Sequence, residues 1–154
     1  HNPLRKIPTL VINDLTIIDS DNICLYLDSI SKKETLFPKK SYWKIMSMTS
    51  IANGLMESVL ERRMESIRPD NEKSKNFINK QEIRIIRTIK WLENNWNNYN
   101  ENYFTMDQIA IACALDYTIF RFNDKWKADS PKLNKWFNEF VKKDFMKFTT
   151  PYDK

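Results

Sequence analysis

The sequence predicts an α+β chain, in which a small strand–strand–helix unit is followed by an all-α helical bundle. Three observations lead there. Leu10–Ile12 and Thr16–Ile18 are short β-branched apolar runs, and the Asn13-Asp14 pair between them is a hairpin-type turn signal. From Ile23 the apolar residues Ile23, Tyr26, Leu27 and Ile30 recur at the helical period. Beyond Lys40 the sequence is wholly helical in character.

The lead-in, His1 to Thr9, carries an X-Pro step at Ile7-Pro8 and reads as extended. A two-stranded hairpin is at best marginal in water, so it needs more sheet or a helical surface to lie on. Ser20 stands where a helix cap is expected, with a hydroxyl able to accept from a free amide of the first turn. Residues Ser31 to Lys40 are polar and charged apart from Leu36-Phe37 and Pro38, and read as a linker whose apolar pair packs down.

A long helix is expected from Ser41 to Ile67. Ile45, Met48, Ala52, Leu55 and Val59 step by three or four along its core face. Met46, Met56, Leu60 and Met64 widen that arc, and Pro69 marks the end. Gly54 sits inside this helix, where glycine costs about 1 kcal/mol relative to alanine. The expected reason is close approach of another backbone. A second helix is expected from Glu72 to Trp96, with Ile78, Ile85, Ile89, Leu92 and Trp96 on one face, followed by an asparagine-rich loop at Asn97–Asn102. Thr105 and Gln108 form a capping-box pattern that opens a third helix. From Ile109 to Phe120 that helix is apolar nearly all round and should be central and buried. Ser130-Pro131 is a cap followed by proline at the first helical position, and Leu133, Trp136, Phe137, Phe140 and Val141 continue the last helix.

Composition narrows the function classes. With 154 residues, 42% apolar and 13% aromatic, the chain has material for one domain, or for one small and one incomplete domain. The net charge of +5 comes from basic residues dispersed among acids, without the Lys/Arg stripe expected of a nucleic-acid binder. A single glycine leaves no phosphate-cradling loop. No apolar run approaches a membrane span and no secretory leader is visible, so a cytoplasmic protein is expected. Cys24 and Cys113 are far apart in sequence and read as reduced structural thiols. His1 is the only histidine, so neither a metal site nor a Ser-His or Cys-His pair is expected.

The string N-P-L-x-K-I-P-x-L-V from Asn2, followed by D-S-x-x-I-x-x-Y-L from Asp19, resembles the glutathione-binding half of a glutathione S-transferase of bacterial cytosolic type. A-N-G-L-M-E from Ala52 is similar to that family's A-D-G-I-M-D, and Thr105 to Ala112 to its T-x-x-D-I-A-x-A, with Gln108 in place of the acid. The tail from Asp144 resembles the family's closing segment. The resemblance implies a partial thioredoxin-like glutathione-binding domain over residues 1–30, a linker over 31–40 and an all-α C-terminal domain over 41–154. It implies a cis Ile7-Pro8 bond that presents the Ile7 backbone to the cysteinyl part of glutathione. It also implies that Asp19 and Ser20 hold the γ-glutamyl end and that Lys6 suits the glycine carboxylate. Met56 and Leu60 would line a hydrophobic co-substrate pocket. The residues by themselves leave plainer readings open. Ser20 can be an ordinary cap, Pro8 a strand opener, Lys6 and Asp19 solvated charges, and the methionines core packing.

Implied further are glutathione as co-substrate without a metal, a homodimer, no nucleic-acid or membrane partner, and conjugation of glutathione to a hydrophobic electrophile in the full-length form. The alternative is a non-enzymatic protein that keeps the fold for binding or protein interaction. The resemblance begins partway into the family's first domain. The family's opening strand, helix and second strand are therefore expected to be absent, and with them the Ser, Tyr or Cys that acts on the sulfur. No catalytic residue is assigned, and the chain alone is expected to be inactive, as a truncated form of a longer transferase or a short protein whose sheet edge a partner covers.

Overall fold

The computed structural model describes residues 1–96 and 104–150. The expected Asn97–Asn102 loop and the end of the tail, residues 151–154, lie outside the described residues. The chain divides into two compact units, His1–Tyr42 and Trp43–Lys154.

In the first unit, strands β1 (Thr9–Ile12) and β2 (Leu15–Ile18) pair antiparallel with Thr9 opposite Ile18 and Ile12 opposite Leu15. Asn13 and Asp14 alone connect them, and Asn13 takes the left-handed backbone that so short a loop requires (φ 50°). Asparagine tolerates that conformation better than most residues. Helix α1 (Ser20–Ile30) follows and packs on the hairpin. Leu10, Ile12, Ile17, Ile18, Ile23 and Tyr26 are half-buried, whereas Leu27 and Ile30 stand exposed. The Asp28 carboxylate ties the following segment back to α1, accepting from the Thr35 hydroxyl at 2.6 Å and the Leu36 amide at 2.7 Å. That clamp seats Phe37, which is buried and stacks near Tyr42 with ring centroids 6.4 Å apart. The expected Leu36-Phe37 anchor is therefore formed.

The second unit holds helices α2 (Tyr42–Ser66), α3 (Lys75–Asn94), α4 (Met106–Arg121), α5 (Trp126–Asp129), α6 (Pro131–Phe140) and α7 (Asp144–Lys147). The predicted α2 stripe, Ile45 to Val59, is buried along its whole length. Ile85, Ile89 and Leu92 of α3 meet it, together with Ile111, Ala114 and Leu115 of α4 and Leu133 and Phe137 of α6. Helix α4 is the central element the sequence predicts, since it buries residues on nearly every side. Polar bonds fix the pairing of α2 with α3. Arg62 meets Glu82 at 2.8 Å, and Glu61 accepts from Gln81 at 2.6 Å. The Arg62 guanidinium also lies 4.5 Å over the Phe122 ring, at the end of α4.

Four local expectations change. Helix α3 begins at Lys75 rather than Glu72, because Ser74 caps it through its hydroxyl to the Phe77 amide at 3.2 Å. Thr105 precedes α4, but its hydroxyl donates to the Asp107 carboxylate and makes no cap with a backbone amide. A charged acceptor two residues away outcompetes the reciprocal arrangement expected with Gln108. Ser130 likewise makes no side-chain cap on α6. The Glu93 carboxylate of α3 replaces it, accepting from the amides of Lys132 at 3.2 Å and Leu133 at 2.8 Å. Finally, among the described residues nothing beyond the helix's own backbone and the neighbours of Gly54 lies within 4 Å of where its Cβ would stand, so close approach of another described segment does not explain that glycine.

Two measurements follow from this geometry. Glu93 is only 8% exposed and satisfies two orphan amides of α6. Glu93→Ala should lower stability by about 2 kcal/mol, with a smaller loss for Glu93→Gln, which keeps one acceptor oxygen. The urea midpoint of the helical circular dichroism signal reports both, and equal midpoints for all three proteins would refute the cap. Gly54→Ala should raise stability by about 0.5–1 kcal/mol, and the urea midpoint with it, the usual gain when a helix-interior glycine is replaced without a clash. A lowered midpoint would show that something fills the space.

Candidate functional site

The hairpin register decides which exposed residues meet. Thr9 and Ile18 are the last pair of the ladder, so Pro8 and Asp19 are the next residues out on the two chains. Ile7 and Ser20 come next on the two chains. The five residues singled out in the first unit, Lys6, Ile7, Pro8, Asp19 and Ser20, thus flank the last pair of the ladder along the two chains, and all five are solvent-exposed. The Ile7-Pro8 peptide is cis, as expected.

The loop before the strand is shaped by Asn2. Its side-chain amide donates to the Lys6 carbonyl at 2.7 Å and to the Thr9 hydroxyl at 3.3 Å, while its Oδ1 accepts from the Leu4 amide at 2.9 Å. The Arg5 amide closes a turn on the Asn2 carbonyl at 3.0 Å, and Arg5 sits at φ 52°. Asparagine is among the residues able to close a turn with its own side chain. Sequence reasoning passed over Asn2, although Asn-Pro is a turn-initiating dipeptide and could have flagged it.

At the other side of the site the cap of α1 is Asp19, not Ser20. The Asp19 Oδ1 accepts from the Asp21 amide at 3.0 Å, and its φ of 75° turns the chain sharply from β2 into the helix. Aspartate is as good a cap as serine, and here it occupies the position with the non-helical backbone. Ser20 becomes the first helical residue. Its amide and hydroxyl have no protein partner among the described residues. The open end thus presents a carboxylate, a free hydroxyl, helix-start amides and the Lys6 ammonium. Such a set suits a zwitterionic amino-acid end on one side and a carboxylate on the other.

Met56 and Leu60 belong to α2 in the second unit. Met56 is half-buried against the core, whereas Leu60 is 47% exposed. Met64 and Ile67 continue this face at 55% and 53% exposure, giving an apolar stripe of adaptable side chains. Among the described residues no cluster of His, Cys, Asp and Glu could hold a metal ion, and no helix is long and apolar enough to cross a membrane. Neither cysteine is in a disulfide, and Cys24 is half-buried in α1 while Cys113 is exposed on α4. Burial, reinforced by the Asp21 carboxylate, pushes the Cys24 thiol above its ordinary pKa.

Comparison with known proteins agrees with this geometry. Residues 1–35 match the family model for the glutathione S-transferase N-terminal domain. The chain is 26% identical over 156 residues to the uncharacterized GST-like protein YibF of Escherichia coli (strain K12), covering 97% of this chain and 77% of that protein. A glutathione transferase family member from Pseudomonas fluorescens Pf-5, solved with bound glutathione, superimposes with a TM-score of 0.93 at 29% identity, over 99% of this chain and 77% of the other. The same protein with bound S-(propanoic acid)-glutathione gives 0.91 at 29% identity, over 98% and 80%. A glutathione S-transferase from Methylobacillus flagellatus KT with glutathione bound gives 0.92 at 26% identity, over 99% and 79%.

The thiolate is the nucleophile, so the raised Cys24 pKa and its partial burial both slow its alkylation. Iodoacetamide near pH 8 should label Cys113 well before Cys24, as read by peptide mass spectrometry over time. Labelling of Cys24 first would contradict the environment described here.

Proposed function

Because the chain belongs to the glutathione S-transferase family, we propose that the open end of its hairpin binds glutathione. The observation that supports this is the Thr9–Ile18 register, with Lys6–Pro8 preceding one partner of that last pair and Asp19–Ser20 following the other. In this reading the γ-glutamyl ammonium pairs with Asp19, and its carboxylate meets the Ser20 hydroxyl and the amides of the first turn. The Ile7 backbone meets the cysteinyl segment, and Lys6 takes the glycine carboxylate. Each contact matches a charge or hydrogen-bonding group of the tripeptide with its complement.

Conjugation to an apolar electrophile is the reaction we assign to the whole transferase. The glutathione sulfur, as thiolate, forms a bond to an electrophilic carbon, and the leaving group departs with its electron pair. The residues named in this chain bind and orient the tripeptide, and none of them is placed at the sulfur. The apolar co-substrate is assigned to the Met56–Leu60 stripe, where the half-buried Met56 thioether and the exposed Leu60 side chain accommodate varied shapes. Family membership also supports a cytoplasmic homodimer. The division into a partial glutathione-binding domain over residues 1–30, a linker over 31–40 and an all-α domain over 41–154 belongs to the same proposal.

Titration calorimetry of this chain with glutathione tests the binding. Saturable binding is expected, weakened about tenfold by Ser20→Ala and by Asp19→Asn, as loss of one charge-assisted hydrogen bond implies. Asp19→Asn keeps an oxygen for the helix cap and removes only the charge. Absence of binding by the parent chain would overturn the proposal. Binding without conjugation of chlorodinitrobenzene would keep the ligand, and it is the result expected when no residue of the chain is placed at the sulfur.

A further inference from the structure

We infer that Asn2 is a positioning residue for this ligand, holding the Lys6 carbonyl inward so that the Ile7 N–H points out to meet the tripeptide. The inference rests on the glutathione reading above. The Lys6 oxygen and the Ile7 nitrogen share one peptide plane. The Lys6–Ile7 peptide is trans, since Ile7-Pro8 is the cis bond found among the described residues, and its N–H points opposite to its carbonyl. The carbonyl end is held twice, by the Asn2 amide at 2.7 Å and by the Thr9 hydroxyl at 3.3 Å. The Asn2 amide donates to that same hydroxyl, and its own oxygen is taken by the Leu4 amide, so both ends of the Asn2 side chain are committed. With the inner end fixed, the outer end has one direction. Ile7 is 93% exposed, and its N–H has no protein partner among the described residues. A loop peptide without such a clasp could rotate and exchange donor for acceptor at the surface. Asn2 and Thr9 are both half-buried and prevent that exchange without reaching the ligand themselves.

Asn2→Asp separates this role from general support of the fold. The aspartate keeps an oxygen for the Leu4 amide, loses both donated bonds and sets a carboxylate against the Lys6 carbonyl. Affinity for glutathione should fall on the order of tenfold. Affinity for γ-glutamyl methylamide, which lacks the cysteinyl carbonyl, should not change, and both are followed by NMR titration. Amide relaxation should show new motion at Ile7, with the helices and the urea midpoint unaffected. Thr9→Ser keeps the hydroxyl and should bind as the parent does, whereas Thr9→Val should bind more weakly. Equal affinity of Asn2→Asp and parent for glutathione would overturn the inference alone. Equal losses for both ligands would overturn it in favour of a purely structural role. Failure of the parent chain to bind glutathione would instead remove the reading beneath it.

Discussion

An antiparallel ladder has one register, and here its last rung joins Thr9 to Ile18. A slip of a single residue would send every side chain of one strand to the opposite face. It would also carry Pro8 away from Asp19. The two-residue connection at Asn13-Asp14 leaves no slack for such a slip. The position of the candidate site is therefore set by the tightness of a turn at the far end of the hairpin.

The helical unit depends on a different constraint, the buried ends of its helices. Each helix start leaves amides that need acceptors, and burial makes an unmet need costly. One solution is long-range and buried, with Glu93 reaching from the end of α3 to the start of α6. At the exposed start of α3, Glu65 accepts from the Ser74 amide at 2.7 Å. These contacts set the order in which helices meet as firmly as the apolar stripes do. The stripes specify which face is inward, and the acidic side chains specify where along the axis each neighbour starts.

Much of this was legible in the sequence because it is periodic or local. The strand runs, the turn, the α2 stripe and the all-round apolar α4 are patterns of spacing, and spacing survives into structure. The cis Ile7-Pro8 bond and the choice of Lys6, Ile7, Pro8, Asp19 and Ser20 as candidate site residues came from resemblance to a family motif, since no single residue there announces a ligand. What escaped was competition between neighbours of similar chemistry. Asp19 and Ser20 are both good caps, and only the backbone at Asp19 decides between them. Ser130 looked like a cap because Glu93, far off in sequence, is invisible to a local pattern. Gly54 suggested close packing by a general rule, and the space beside it is open.

The clasp around Lys6 also says which substitutions the loop can absorb. Leu4, Arg5 and Ile7 turn their side chains to solvent, and the loop is shaped through backbone atoms and the side chains of Asn2 and Thr9. Side chains at positions 4, 5 and 7 can therefore be exchanged widely, within the left-handed limit at Arg5, while the loop keeps its shape. Position 2 has no such latitude, and position 9 admits only another hydroxyl. Among relatives that share this loop, position 2 should stay asparagine and position 9 threonine or serine, while the side chains at positions 4, 5 and 7 should carry the least information about what the loop holds.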